Sequence, residues 1–163
     1  MLGVEIQRET AETAGRITIS GPAVGDGYFP TPEPEVFRNG EFSPGDVIDW
    51  TPAGMWITGR ASDLINVAGR KLNPSEVEAR VQTHPAVRQA IVFGVPSILR
   101  GEEPVLCVAG DALEQTDLVR FCRANLSEWQ VPRDIWVVSE IPVNERGKIS
   151  RRQLAQQYLS RNQ

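Results

Sequence analysis

The 163-residue sequence has only two cysteines, Cys107 and Cys122, each in an apolar setting. Two thiols are too few for a disulfide framework, so both read as small core residues of a protein kept in a reducing compartment. Long hydrophobic runs are absent, and the longest falls well short of the roughly 20 residues that span a bilayer. The start, Met1-Leu2-Gly3-Val4-Glu5 with Arg8 and Glu9 close behind, has no apolar stretch of signal-peptide length. The expectation is a cytoplasmic protein without a membrane span. Aromatic residues make up 7% of the chain and are not interleaved with the basic ones, which argues against nucleic-acid binding. Internal repeats and low-complexity tracts are also missing.

What is present is the composition of an ordinary soluble domain, with 40% hydrophobic and 23% charged residues. The length suits one domain or two small units. The net charge of −4 is uneven. Residues 1–58 hold nine acids and three bases, a balance of −6, whereas residues 59–163 hold twelve acids and fourteen bases, a balance of +2. Such asymmetry arises by chance in a short chain, or it marks an anionic ligand of the second part; charge alone favours chance.

The texture of the chain also changes near residue 59. The first part is rich in Gly, Pro and Thr, with no helical stripe. Arg16-Ile17-Thr18-Ile19-Ser20 alternates and stops at Gly21-Pro22, which predicts a strand closed by a turn. Residues 46–50 and 55–58 flank Pro52-Ala53-Gly54 and predict a hairpin. Further on, Asn73-Pro74-Ser75-Glu76 is a helix start with cap, first-turn proline and first-turn acid, and Val77 and Val81 share a face until His84-Pro85 ends the helix. Strands are predicted over 87–95, ending at Pro96, over 105–109 and over 135–138. The apolar stripe of Leu118, Phe121, Cys122 and Leu126 predicts a second helix. Ser150-Arg151-Arg152-Gln153 opens a third, through Leu154 and Tyr158. The reading is α+β: a small β subdomain over 1–61, then a compact domain over 62–163 in which helices cover a small sheet.

Three short stretches hold the candidate chemistry. They are Phe42-Ser43-Pro44-Gly45-Asp46, the run GRASDLINVAGRKLNPSEVE over 59–78, and PVNERGKISR over 142–151. Singly, each has a plain explanation. A Gly-Asp pair is usually a turn, a Gly-Arg-x-x-Asp is usually a surface loop with a weak ion pair, and a Gly-Lys in a polar loop is usually a solvated lysine. Arg146, Arg151 and Arg152 read as solvated.

Together and in this order, the three stretches resemble the C-terminal portion of the adenylate-forming superfamily of acyl-CoA synthetases, aryl-CoA ligases and peptide-synthetase adenylation domains. The likeness runs from about Gly3 to Tyr158, supported by Gly27-Tyr28, His84-Pro85-Ala86-Val87, Gly94-Val95-Pro96, Gly101-Glu102 and Val131-Pro132-Arg133. The stretch from Asn66 to Glu78 is more similar to the acyl-CoA synthetase branch. The resemblance implies a mobile lid domain preceded by the last β subdomain of a larger adenylation domain. It also implies formation of an acyl-adenylate from a carboxylic acid and ATP, leaving AMP after the acyl group passes to CoA or a carrier-protein thiol.

By the same resemblance, Asp46 and Arg60 match residues at the nucleotide's ribose, and Lys148 matches the lysine of the adenylation step. Gly69 matches the loop lining the pantetheine passage, and Ser62 with Asp63 the hinge. Ser62 departs from the family, where Asp or Lys is common at the pivot. The chemistry suits these residue types. A carboxylate accepts two hydroxyl hydrogen bonds, and a compact cation reduces repulsion between a carboxylate and an α-phosphate.

Nothing in the sequence matches the family's Ser/Thr/Gly-rich phosphate loop or its aromatic-Gly-x-Thr-Glu motif, so the Mg2+ ligands and most of the acyl pocket are expected outside these residues. The isolated chain is expected to be inactive, with the remaining parts supplied by a preceding domain or by a separate N-terminal adenylation chain. The alternative from another class is a lid-like interaction module without catalysis. If the first part has lost partner strands, apolar edges are expected around Ile17, Ile19, Val47 and Ile48.

Overall fold

The computed structural model describes residues 3–8, 14–31, 33–145 and 147–161. The chain divides into two compact units, Met1–Ser62 and Asp63–Gln163.

The first unit is built on strands β1 (Glu5–Arg8), β2 (Ala14–Ser20), β3 (Phe37–Arg38), β4 (Glu41–Phe42), β5 (Asp46–Thr51) and β6 (Gly54–Arg60). They form an antiparallel sheet in the order β3-β4-β2-β5-β6, with β1 also paired to β2. Residues 46–60 make the predicted hairpin, with Trp50 opposite Met55 and Asp46 opposite Arg60. The expected apolar edges lie elsewhere. Ile17, Val47 and Ile48 are buried and Ile19 is half-buried, because β2 and β5 are interior strands. The edge strand β6 exposes Met55, Trp56 and Ile57, and Ile6 of β1 and Phe29 of the β2–β3 connection are exposed as well. An aromatic cluster covers the other end of the sheet. Tyr28 meets Phe37 edge-on at 5.0 Å, and Phe37 stacks on Phe42 at 4.9 Å.

The second unit contains β7 (Ile65–Val67), β8 (Arg70–Leu72), α1 (Pro74–Val81), β9 (Val87–Ser97), β10 (Gly101–Gly110), α2 (Gln115–Asn125), β11 (Asp134–Val138) and α3 (Arg151–Arg161). The order helix, strand, strand, helix, strand, helix follows the sequence pattern, but the β7–β8 hairpin ahead of it was not anticipated. Two strands also run longer than their apolar cores suggest. β9 continues through Pro96, and β10 begins at Gly101, because the two pair antiparallel from Gly101↔Ser97 to Gly110↔Val87.

β10 is the central strand. β9 occupies one edge along its whole length; β11 lies parallel beside residues 105–109 on the other, and β7 meets Gly101. Residues 104–109 of β10 are all buried, because both faces of the sheet are covered. Alternation divides them. Leu106 and Val108 face a cluster with Val77 and Val81 of α1, Leu118 and Cys122 of α2, and Leu72 of β8. Val105, Cys107 and Ala109 face Leu154 and Tyr158 of α3. Asn73 caps α1, its Oδ1 accepting the Ser75 amide at 3.2 Å. His84, just past α1, is buried, and its Nε2 lies 3.1 Å from Asp117 of α2.

Two consequences are measurable. Leu106→Ala leaves a cavity in the α1–α2 layer and is expected to cost about 3 kcal/mol in chemical denaturation of the chain. Burial pushes the Cys107 and Cys122 thiols from the usual 9.0 up to about 11. The unfolded chain therefore releases these protons first as pH rises, and stability should be intact below about pH 9 and fall from there toward pH 11. Thermal melts of the wild type and of Cys107→Ala/Cys122→Ala across that range test this, the variant having the shallower decline.

Candidate nucleotide and thiol sites

In the first unit, Asp46 begins β5 and Arg60 ends β6, and the hairpin register sets them opposite each other. Their side chains form an ion pair, Arg60 Nε to Asp46 Oδ1 at 3.1 Å. The arginine is two-thirds exposed and the aspartate less than a quarter, so the pair presents cation and carboxylate together at the open end of the hairpin. The amide of Ala61 donates to Gly45 O at 2.7 Å and closes that end. A pocket of about 270 Å3 lies alongside, lined by Arg16, Glu35, Val36, Ser43, Pro44 and Gly45. The two residues assigned to one ligand group are thus brought together. Ser62 follows in a single 3₁₀ turn, Ala61–Asp63.

In the second unit, Lys148 is held in a closed turn. Asn144 Oδ1 accepts its amide at 3.0 Å, and Asn144 N–H donates to its carbonyl at 2.8 Å. Gly147 sits at φ +69° and donates to Asn144 O at 2.8 Å. That left-handed backbone favours glycine. Ile149 packs onto the α3-side core. The ammonium group of Lys148 is exposed, and among the described residues no hydrogen bond or ion pair engages it. Arg146 lies outside the described residues, and Arg152 is exposed.

Arg151 corrects the sequence reading. It is not solvated; its guanidinium reaches Asp63 Oδ2 at 2.7 Å and both oxygens of Glu78, at 2.8 and 3.0 Å. Asp63, one of the two residues assigned to the hinge, is thereby tied to α1 and α3. The available signal was the acid at Glu78, on the buried face of α1 beside Val77 and Val81, which needs a cation.

Gly69 is the second residue of a two-residue hairpin loop between β7 and β8, where Val67 pairs with Arg70. Ala68 has φ +51° and Gly69 φ +86°. Two successive positive φ values give the tight turn whose twist suits a hairpin, and glycine takes this conformation without steric cost whereas alanine does not. Ala68 is steadied by its amide, which donates to Arg100 O at 2.8 Å. A Cβ on Gly69 would meet no atom within 4 Å, so the turn, not crowding, explains the glycine in this structure. No hydrogen bond joins Gly69 and Lys148 among the described residues.

At the foot of this hairpin opens a groove of about 1040 Å3. Its wall includes Ala68 and four arginines, Arg70, Arg100, Arg123 and Arg133, with Trp129 between them. Arg70 stacks over Trp129 at 5.5 Å. Arg133 binds Glu103 at 2.9 Å, and Arg100 lies 4.0 Å from the same carboxylate. Sequence reasoning missed this groove, because its arginines come from four separated segments. The faint trace was the +2 balance of residues 59–163, which charge alone assigned to chance. A groove with this many guanidinium groups can bind a polyanion, and Trp129 adds a flat apolar surface. Among the described residues no group of three or more His, Cys, Asp or Glu side chains could hold a metal, and no helix is long and apolar enough to cross a membrane.

Comparison with known proteins bears on both units. Residues 76–148 match the AMP-binding enzyme C-terminal domain. The chain is 37% identical over 153 residues to oxalate–CoA ligase of Arabidopsis thaliana, covering 90% of this chain and 30% of that protein. It is 37% identical over 147 residues to 2-succinylbenzoate–CoA ligase of Geobacillus kaustophilus, covering 86% and 30%. Among solved structures, ATP-bound MatB from Rhodopseudomonas palustris superposes with a TM-score of 0.84 at 27% identity, covering 97% of this chain and 34% of that one. The o-succinylbenzoate CoA synthetase of Bacillus subtilis, in complex with an acyl-adenylate, gives 0.81 at 29% identity, covering 94% and 34%. The chain therefore spans about 30% of the length of the curated relatives it matches. With three helices and two small sheets among the described residues in the arrangement of these proteins, the chain is similar over most of its length to adenylate-forming CoA ligases and over residues 76–148 carries their AMP-binding enzyme C-terminal domain.

Proposed function

We propose that this chain forms the lid and hinge of an AMP-forming acid–thiol ligase that activates a carboxylic acid with ATP and passes the acyl group to CoA. The observation that carries the reading is the arginine groove opening at the Gly69 hairpin. CoA has a phosphate-rich nucleotide end and a long thiol-bearing arm, and the groove offers guanidinium groups for the phosphates and Trp129 for the adenine face. The arm would then pass the tight Ala68-Gly69 turn, whose left-handed backbone brings the main chain to the mouth of the groove.

The two half-reactions use different parts of the chain. In the first, a carboxylate oxygen attacks the α-phosphorus of ATP, pyrophosphate leaves, and an acyl-adenylate forms. Lys148, a compact cation on a fixed turn, offsets the charge gathered between the two anions. Asp46 accepts hydrogen bonds from the ribose hydroxyls, with Arg60 holding the carboxylate in place. In the second half-reaction the CoA thiol attacks the acyl carbonyl and AMP leaves. Rotation about Ser62 and Asp63 takes Lys148 out and brings the Gly69 hairpin in; a hinge needs only residues that absorb dihedral change. The phosphate-binding loop, the Mg2+ ligands and the acyl pocket come from a preceding domain or a separate chain. Mg2+, if held by carboxylates of that other part, would supply positive charge at the pyrophosphate. The relatives act on oxalate and 2-succinylbenzoate by name, and the acid used here is set by that other part.

The 163-residue chain alone is expected to release no pyrophosphate from ATP with any carboxylic acid. Joined to the N-terminal part of the Geobacillus 2-succinylbenzoate–CoA ligase, it should do so, and Lys148→Ala should lower that rate by about 10²- to 10³-fold. Activity of the chain alone, lost in Lys148→Ala, would show a complete site within these residues and overturn the division of labour. In the same fusion, Arg70→Glu should raise KM for CoA roughly tenfold, as expected for loss of one charged contact, with acyl-adenylate formation unchanged.

A further inference from the structure

We propose that Arg151 is a positioning residue for the adenylation step, its guanidinium fixing the Lys148 segment to Asp63 of the hinge. The proposal rests on the ligase reading above. Lys148 is fastened on its N-terminal side by the reciprocal bonds to Asn144, at 3.0 and 2.8 Å. On its C-terminal side the backbone enters α3 at Arg151. Every nitrogen of that guanidinium has an acceptor. Nε donates to Val92 O at 3.1 Å, Nη1 to Asp63 Oδ2 at 2.7 Å, and Nη2 to Glu78 Oε1 and Oε2 at 2.8 and 3.0 Å. Glu78 Oε1 in turn accepts the Val92 amide at 2.8 Å. One planar group therefore joins β9, α1 and the start of the unit to the first turn of α3.

Attachment of α3 to the sheet does not by itself require this network. Leu154 and Tyr158 are buried against β9 and β10, and Tyr158 Oη donates to Asp134 Oδ2 at 2.6 Å. What Arg151 adds is direction and reference. It orients the turn from which Lys148 projects, and it does so relative to Asp63, the first residue of the unit that rotates. An ammonium group must arrive at one place between carboxylate and phosphate, and a displacement of about 1 Å from such a place costs on the order of 100-fold in rate. Transfer to CoA, from which Lys148 has withdrawn, does not depend on that direction. A lysine at position 151 would keep the charge but, as a point charge on a flexible stem, could not hold three acceptors in one plane.

The test compares wild type, Arg151→Lys and Glu78→Gln in the fusion to the Geobacillus N-terminal part, measuring the two half-reactions separately. Arg151→Lys is expected to slow pyrophosphate release from ATP and 2-succinylbenzoate on the order of 100-fold, while conversion of preformed acyl-adenylate to thioester keeps its wild-type rate. In the 163-residue chain, the Lys148 amide should exchange with solvent faster in the variant, with the amides of residues 105–109 unchanged. Glu78→Gln retains the arginine and should show the same split, which covers the case of an Arg151→Lys chain that does not fold. Equal slowing of both half-reactions, or of neither, would overturn the positioning role. A folded wild-type fusion inactive in both would instead overturn the ligase reading, and this proposal with it.

Discussion

Strand β10 has no face toward water over residues 104–109, and the second unit is organised by the need to cover it. A strand buried on both sides loses the usual alternation of apolar and polar residues and becomes a continuous run, here Pro104-Val105-Leu106-Cys107-Val108-Ala109. One face requires α1 and α2 and the other α3. β9 pairs along the whole of one edge and β11 along much of the other, which satisfies the backbone groups that burial would strand. The loops at the ends of these elements carry the Gly69 hairpin, the arginine groove and the Lys148 turn.

Close packing of this kind leaves little room for polar groups, and the exceptions therefore carry weight. Glu78 is buried on α1 with its carboxylate shared between Arg151 and the Val92 amide. Such a pair adds little net stability over an apolar substitute, because desolvation offsets most of the attraction. What it supplies is a geometry in which three segments have one mutual arrangement. His84 serves a humbler purpose, with one ring nitrogen near Asp117 and the other accepting the Ala86 amide at 3.3 Å, so that the turn after α1 is satisfied without water.

The candidate sites differ in how they are assembled. Asp46 and Arg60 are neighbours because a hairpin register makes them so, and Lys148 is held by reciprocal bonds to Asn144. Both are local constructions. The arginine groove is not, since Arg70, Arg100, Arg123 and Arg133 come from β8, the β9–β10 turn, α2 and the segment before β11. Only the packing of those elements sets four guanidinium groups on one wall. The positive φ of Ala68 marks the hairpin beside it as held by its context, through the bond from its amide to Arg100 O at 2.8 Å.

The sequence by itself determined the α+β class, the hairpin over 46–60 and the three helices. It also determined the succession of helices and of the three strands after α1 in the second unit and, by resemblance, the superfamily and its motif residues. These are local signals: a period of two or near four, a cap, a Gly-Pro turn, a short motif. Only the tertiary structure decided the β7–β8 hairpin, whose three-residue strands are too short to show a period. The same holds for the extension of β9 through Pro96, which follows from pairing and not from composition. Burial of Ile17, Val47 and Ile48, against exposure of Trp56 and Ile57, depended on which strand lies at the sheet edge. The groove and the Arg151 network joined residues up to 88 positions apart. A side chain's neighbours along the chain say whether it can sit in a helix or strand, but whether a guanidinium is solvated, paired or part of a binding wall depends on which distant segments fold against it.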